Sequence, residues 1–232
     1  MSNVTFSYNN VTGNRYGIYM TSTHNSRISN NTVFSSFFGI NMEAACQYNM
    51  ITGNRIGSNA YYGIVMWSGS NNNTVANNTF TNNDRGIALG YSDYNIIASN
   101  DFLSNSMGVE IQQISDNNTV HNNNFIGNTV QVDGVHISDS VNMWDDGYPS
   151  GGNYWSDYNG TDLYSGPNQD VAGSDGMGDG PYVINSNNFD RYPLMTQYVI
   201  PEFGSVLPML FFMALTLLAV IFHRKRNMLD AM

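Results

Sequence analysis

Residues 75–111 read VANNTFTNNDRGIALGYSDYNIIASNDFLSNSMGVEI, and the stretch repeats itself once. Val75 is followed 22 residues later by Ile97, Phe80 by Phe102, and Gly86-Ile87 by Gly108-Val109. Working outward, the same three series continue in both directions. The first is Phe6, Ile28, Ile51, Val75, Ile97, Val120 and Val141. The second lies five residues further on, at Val11, Val33, Ile56, Phe80, Phe102 and Phe125. The third joins a glycine to an aliphatic residue at Gly17-Ile18, Gly39-Ile40, Gly63-Ile64, Gly86-Ile87 and Gly108-Val109, with spacings of 22, 24, 23 and 22. A fixed period of this size is the signature of a stacked repeat.

Each repeat offers three short apolar spots separated by Asn, Gly and Ser turns. After the glycine the pattern alternates (Ile18/Met20, Ile40/Met42, Ile64/Met66, Ile87/Leu89, Val109/Ile111), so these side chains share one face of a strand. Nothing before residue 205 sustains a 3.6 period. The expected fold is therefore all-β: a right-handed single-stranded parallel β-helix of about six turns, 22–24 residues and three short strands per turn. Equivalent strands would pair in parallel about 4.8 Å apart. Asparagines recur just before the second series, at Asn30-Asn31, Asn54, Asn77-Asn78, Asn100 and Asn122-Asn123. Asn tolerates left-handed backbone, and stacked amides form ladders. Gly17 and its equivalents are expected where the coil turns sharply. Residues 1–14 align with the later half of a repeat, which leads us to expect further turns upstream.

Composition narrows the partners. Residues 1–205 carry 17 carboxylates against five arginines and no lysine. Nucleic acid needs Lys and Arg along its backbone, so it is excluded as a partner class. Cations and neutral glycans fit better. Cys46 is the single cysteine, which makes no intrachain disulfide and reads as a small buried side chain.

We divide the chain into repeats at residues 1–143, a Trp/Tyr/Gly/Asp-rich cap at 144–198 and an anchor at 199–232. The aromatics Trp144, Tyr148, Tyr154, Trp155 and Tyr158 can cover an open stack end, which repeat arrays need. The runs Gly152-Asn153-Tyr154-Trp155-Ser156-Asp157-Tyr158, Asp175-Gly176-Met177-Gly178-Asp179, Pro181-Tyr182-Val183-Ile184 and Tyr192-Pro193-Leu194-Met195 resemble the end of NosD-type β-helix proteins. These are similar to the carbohydrate-binding and sugar-hydrolase group of parallel β-helices. The resemblance spans about residues 1–195 and implies a surface protein of archaeal type. It also raises periplasmic-type copper handling, as in the protein that gives the family its name.

Residues 206–222 form 17 uncharged positions followed by His223-Arg224-Lys225-Arg226. This is the pattern of one transmembrane helix with a basic cytoplasmic end, placing the β-helix outside the cell membrane. Pro201-Glu202-Phe203 before it resembles the PEF-type C-terminal sorting signals of archaea, which implies a sortase-like processing enzyme as a partner.

Three kinds of site follow. Asp157, Asp162, Asp170, Asp175 and Asp179 offer hard oxygen ligands on Gly-rich loops, which makes calcium the candidate cofactor. If Ile18 and Met20 point inward, Tyr19 points outward, as do Glu43, Trp67 and Glu110 on later turns; aromatic rings and carboxylates on one flat face suit sugar rings. Sequons at Asn72, Asn117 and Asn159 are the glycosylation candidates. For catalysis, Glu43 and Glu110 lie three turns apart, roughly 14 Å by strand spacing, too far for a glycosidase pair. The sequence thus reads as an extracellular binding or structural module for glycans or envelope proteins. A polysaccharide-processing hydrolase or lyase with its site in upstream turns is the alternative, and copper handling a third.

Overall fold

The three apolar spots of each repeat become three strands, because turn residues on either side stop each one after three to six residues. The computed structural model describes residues 1–112, 114–133 and 140–200. All regular structure among them is β: a parallel solenoid of about six turns, followed by two short antiparallel pairs, Tyr164–Ser165 with Val171–Ala172 and Tyr182–Val183 with Phe189–Asp190, and Met1–Val199 forms one unit. The first sheet contains Thr5–Ser7, Arg27–Ser29, Met50–Thr52, Thr74–Ala76, Ile96–Ala98 and Thr119–His121. The second contains Asn10–Thr12, Thr32–Phe34, Arg55–Gly57, Thr79–Thr81, Asp101–Leu103, Asn124–Ile126 and, last, Tyr154–Trp155. The third contains the six-residue strands Tyr16–Thr21, Phe38–Glu43, Tyr62–Trp67, Arg85–Gly90 and Met107–Gln112, then Val130–Val132. Each strand pairs in parallel with its equivalents one turn away.

The three apolar series meet in the middle. Ile40, Ile51, Ile56, Ile64, Phe80, Ile87, Phe102, Val109, Val120 and Phe125 are all fully buried. Phe80, Phe102, Phe125 and Trp155 stack face to face at 4.9, 4.8 and 4.3 Å, and Tyr182 continues the stack at 4.2 Å. Fully burying one such ring stabilises by about 1.5–3 kcal/mol. Cys46 is buried, its thiol donating to the Glu43 carbonyl at 3.3 Å.

Polar order inside the corners comes from asparagine. One ladder runs Asn9, Asn31, Asn54, Asn78, Asn100, Asn123, Asn153: each residue's main-chain N–H and side-chain amide both donate to the next side-chain carbonyl, at 2.9–3.1 Å. A second runs Ser26, Asn49, Asn73, Asn95, Asn118, Asn142. A third runs Ser36, Asn59, Asn83, Asn105, Asn128. The partner at the first ladder is the second Asn of each pair; Asn30 and Asn77 stand outside it with φ of 55° and 58°.

Two expectations need correction. Val141 does not continue the first series; it is 58% exposed, and Trp144 sits beneath Val120 instead, because Asn142 takes the ladder position after Asn118. The glycines of the third series are not at sharp turns but inside strands. A Cβ on Gly86 would lie 2.5 Å from the Gly108 carbonyl oxygen and 2.7 Å from Phe102 Cδ1, so close approach of the next turn requires glycine. Tyr154–Trp155 closes the second sheet, pairing in parallel with Asn124–Ile126. No helix among the described residues is long and apolar enough to cross a membrane. The Pro201-Glu202-Phe203 motif and residues 206–222 lie outside the described residues.

Candidate functional site

The outer face of the third sheet carries the residues singled out for sugar binding. Tyr19, Asn41, Val65, Ala88 and Glu110 occupy one register position on successive turns, and Thr21 and Glu43 the outward one two residues on. Tyr19 is 50% exposed, and its hydroxyl donates to Glu43 Oε2 at 3.0 Å. Asn41 Nδ2 donates to Glu43 Oε1 at 3.0 Å. That bond to Glu43 pushes the Tyr19 hydroxyl above its ordinary pKa. Tyr19 and Glu43 therefore form one polar-aromatic unit. Trp67 is half-buried with its ring edge-on to Tyr62, centroids 6.0 Å apart.

Glu110 does not belong to an open face. It is 1% exposed and pairs with Arg85 Nε at 2.7 Å. Asn41, Val65 and Ala88 are buried with it. Arg85 pairs also with Asp84 and lays its guanidinium over the Tyr62 ring at 5.5 Å. Alternation fixes which way a side chain leaves the sheet, not what lies across it.

A second aromatic surface precedes the glycines. Tyr16, Phe38, Tyr62 and Arg85 are register partners, with ring centroids 5.1 and 5.7 Å apart along the three aromatics. The neighbouring column holds Arg15, Phe37, Tyr61 and Asp84. Phe38 N donates to the Arg15 carbonyl, Tyr61 N to the Phe37 carbonyl and Arg85 N to the Tyr61 carbonyl, at 3.0, 3.0 and 2.7 Å. Phe37 and Tyr61 are 50% and 45% exposed, and their rings lie 5.1 Å apart. They line an open groove of about 900 Å³ together with Asn14, Arg15, Ser35 and Ser58. The sequence signal was present: an aromatic residue precedes Gly17, Gly39 and Gly63, and it is doubled at Phe37-Phe38 and Tyr61-Tyr62.

The five aspartates proposed for calcium are not brought together. Asp162 accepts from Ser174 Oγ and the N–H groups of Asp175 and Gly176 at 2.7, 3.0 and 2.9 Å. The Ser174 bond leads in holding its carboxyl below the usual range. Asp179 accepts from Thr161 Oγ1 and the N–H groups of Leu163 and Tyr164. Asp175 accepts from Gly166, Gln169 and Met177, and Asp157 from Gln131 and Tyr182. Asp170 is exposed. Each bonded carboxylate ties one loop to another, and among the described residues no three His, Cys, Asp or Glu gather as a metal site. The sequon residues Asn72, Asn117 and Asn159 are all exposed.

Comparison with known proteins adds the following. Residues 1–160 match the family NosD, described as periplasmic copper-binding protein (NosD). The described donors do not fit a copper centre: Met20, Met42 and Met66 lie in the core at 4%, 0% and 0% exposure, and Cys46 is buried beside them. No curated protein matches the sequence. Among solved structures, the periplasmic alginate epimerase AlgG, in a double-mutant form, is similar at 18% identity and a TM-score of 0.47, over 60% of this chain and 37% of that one. DFA-IIIase from Arthrobacter chlorophenolicus A6 in complex with GF2 is similar at 14% identity and a TM-score of 0.40, over 66% of this chain and 33% of that one. The chain spans about a third of the length of either. Because the matched residues take in every strand of the three stacked sheets, from Thr5–Ser7 to Tyr154–Trp155, the chain belongs to the NosD family.

Proposed function

We propose that this chain is the outward-facing β-helix of a membrane-anchored surface protein and that it binds glycans. One observation carries the binding reading: two exposed rings, Phe37 and Tyr61, stand on successive turns beside a groove of about 900 Å³ edged with hydroxyl and amide groups. Aromatic faces receive the apolar face of a sugar ring, while Ser35, Ser58 and Asn14 can exchange hydrogen bonds with its hydroxyls. The Tyr19–Glu43 unit extends the same face. The membrane reading rests on the uncharged run at residues 206–222 and the basic cluster after it.

The test is a glycan array probed with the full chain in detergent, with and without calcium. Phe37→Ala and Tyr61→Ala should each weaken binding strongly, and Trp67→Ala should weaken it less. Binding is expected to be independent of calcium, because the Asp162, Asp175 and Asp179 carboxylates are already occupied by N–H groups. An array on which nothing binds would leave a passive structural role. Membrane fractionation before and after deletion of residues 206–232 tests the anchor.

A further inference from the structure

The groove beside Phe37 and Tyr61 has a charge asymmetry that its aromatic rings do not explain. Arg15 lines it, and no carboxylate does. Of the five arginines before residue 205, Arg85 pairs with Asp84 and Glu110 and Arg191 pairs with Asp145. Arg15 is exposed, makes no ion pair among the described residues (nor do Arg27 and Arg55), and is held over the Tyr16 ring at 5.3 Å. The Tyr16 ring in turn stacks on Phe38 at 5.1 Å. A guanidinium docked on an aromatic face is pre-oriented with its donors free at the edge of its plane. In a region with 17 carboxylates against five arginines, an unpaired one at the end of an aromatic column asks for an anion from outside.

The column also has a direction. Arg15, Phe37 and Tyr61 follow one another on consecutive turns, each step about 4.8 Å by strand spacing. A pyranose ring is about as long as one turn is thick, so consecutive sugars can lie on consecutive rings.

Resting on the glycan reading above, we infer that this groove takes an anionic oligosaccharide laid along the rod axis, with a sugar on Phe37, the next on Tyr61, and a carboxylate or sulfate on Arg15. The anion meets the fork of Arg15, which matches both groups in a bidentate manner. Asp84, next after Tyr61 in the same column, is held by Arg85, and its charge disfavours a second anion on that side. The site therefore reads polarity along the glycan as well as charge. The acidic surface elsewhere repels polyanions at long range, and salt screens that repulsion within a Debye length of about 8 Å.

The test is calorimetric titration of the full chain with three probes: cellohexaose, hexagalacturonate and a sulfated carrageenan hexasaccharide. One or both anionic probes should bind about tenfold tighter than cellohexaose, the size of a hydrogen-bonded charge contact; which of them does so identifies carboxylate or sulfate as the anion. Arg15→Gln should erase that preference, bringing the anionic probes down to the affinity of cellohexaose. Phe37→Ala should weaken all three. Equal affinity for neutral and anionic probes, or a preference that survives Arg15→Gln, overturns the inference while the glycan reading stands. Binding of no probe, or binding indifferent to Phe37→Ala, overturns both.

Discussion

Asp190 should make this protein lose stability as pH rises from mildly acidic to mildly basic. It is fully buried and ends the first asparagine ladder. Its Oδ2 accepts from Asn153 N at 2.7 Å and Trp155 Nε1 at 2.9 Å, and Oδ1 accepts from Tyr192 N at 3.0 Å. Burial outweighs these donors and raises its pKa from 3.8 to about 7. The folded state therefore holds a proton that the unfolded state has lost between those two values. The sign follows by linkage: the contribution is fully present below the unfolded pKa and is lost as pH rises through about 7. Between pH 5 and 8 the loss is about 2.5 kcal/mol. Urea unfolding of the wild type and Asp190→Asn at both pH values isolates it. Asn cannot ionise, so the variant should lack that slope. It should be about 1–3 kcal/mol less stable at pH 5, because its amide faces the Tyr192 N–H. His121, whose pKa burial lowers, works in the opposite direction, but it is common to both proteins and cancels. Parallel pH slopes for the two proteins would refute the reasoning.

Other consequences are as direct. Asn100→Ala removes the acceptor of Asn78 N and Nδ2 and the donor to Val75 and Ala98 carbonyls; it should cost about 2–4 kcal/mol in urea unfolding. Asn30→Ala, outside the ladder at φ 55°, should cost only about 1 kcal/mol. Gly86→Ala drives a Cβ into the Gly108 carbonyl and Phe102 and should lower stability by about 1–3 kcal/mol, read as a drop in melting temperature. Arg85→Met strands the buried Glu110 carboxylate at a cost of about 3–5 kcal/mol, and adding Glu110→Leu should recover most of it in a double-mutant cycle. On the acid side, burial pushes Asp145 up, but Arg191 outweighs it and holds the carboxyl below the usual range, so this contribution is present above the unfolded pKa and fades as pH falls through the folded one. Arg191→Ala should therefore flatten the acid limb of the stability profile.

The parallel stack was legible because period and alternation are properties of the chain itself. Phe80, Phe102 and Phe125 stand 22 and 23 residues apart and stack in the folded protein. The other two asparagine ladders have a signal as regular as the first. Asn precedes an apolar residue by two positions at Asn49/Ile51, Asn73/Val75, Asn95/Ile97, Asn118/Val120 and Asn142/Trp144. That spacing places Trp144 rather than Val141 in the core and marks another strand at Asn153/Trp155. The site was less legible. Tyr19 and Glu43 follow from alternation, but Phe37 and Tyr61 lie two residues before the glycine, outside the alternating stretch. Glu110 reads as outward from alternation alone, because its partner Arg85 lies one turn away in space and 25 residues away in sequence.

The ladders explain why the chain after residue 130 stops repeating. An asparagine in such a ladder accepts from the preceding turn and donates to the following one, so every ladder is directional and its far end has N–H groups still to satisfy. Continuing with asparagine only moves the problem one turn along. The end needs a residue that accepts without requiring a further turn, and for two of the three ladders it comes from chain that folds back across the stack. Asn128 donates to Gln131 Oε1 at 2.9 Å, Asn142 N to Asn188 Oδ1 at 3.0 Å, and Asn153 N to Asp190 Oδ2 at 2.7 Å. Asn188 turns its own amide onto the Ser140 carbonyl and Asn185. Asp190 is the one terminator that has no donors when ionised, and it also receives Trp155 Nε1. Unpaired, these buried N–H groups would cost about 1–3 kcal/mol each. Residues 185–192 are held against the stack by this polar requirement as much as by the aromatic contacts of Trp155 and Tyr182. Polar termination also accounts for a carboxylate kept in a fully buried place where its own ionisation is disfavoured.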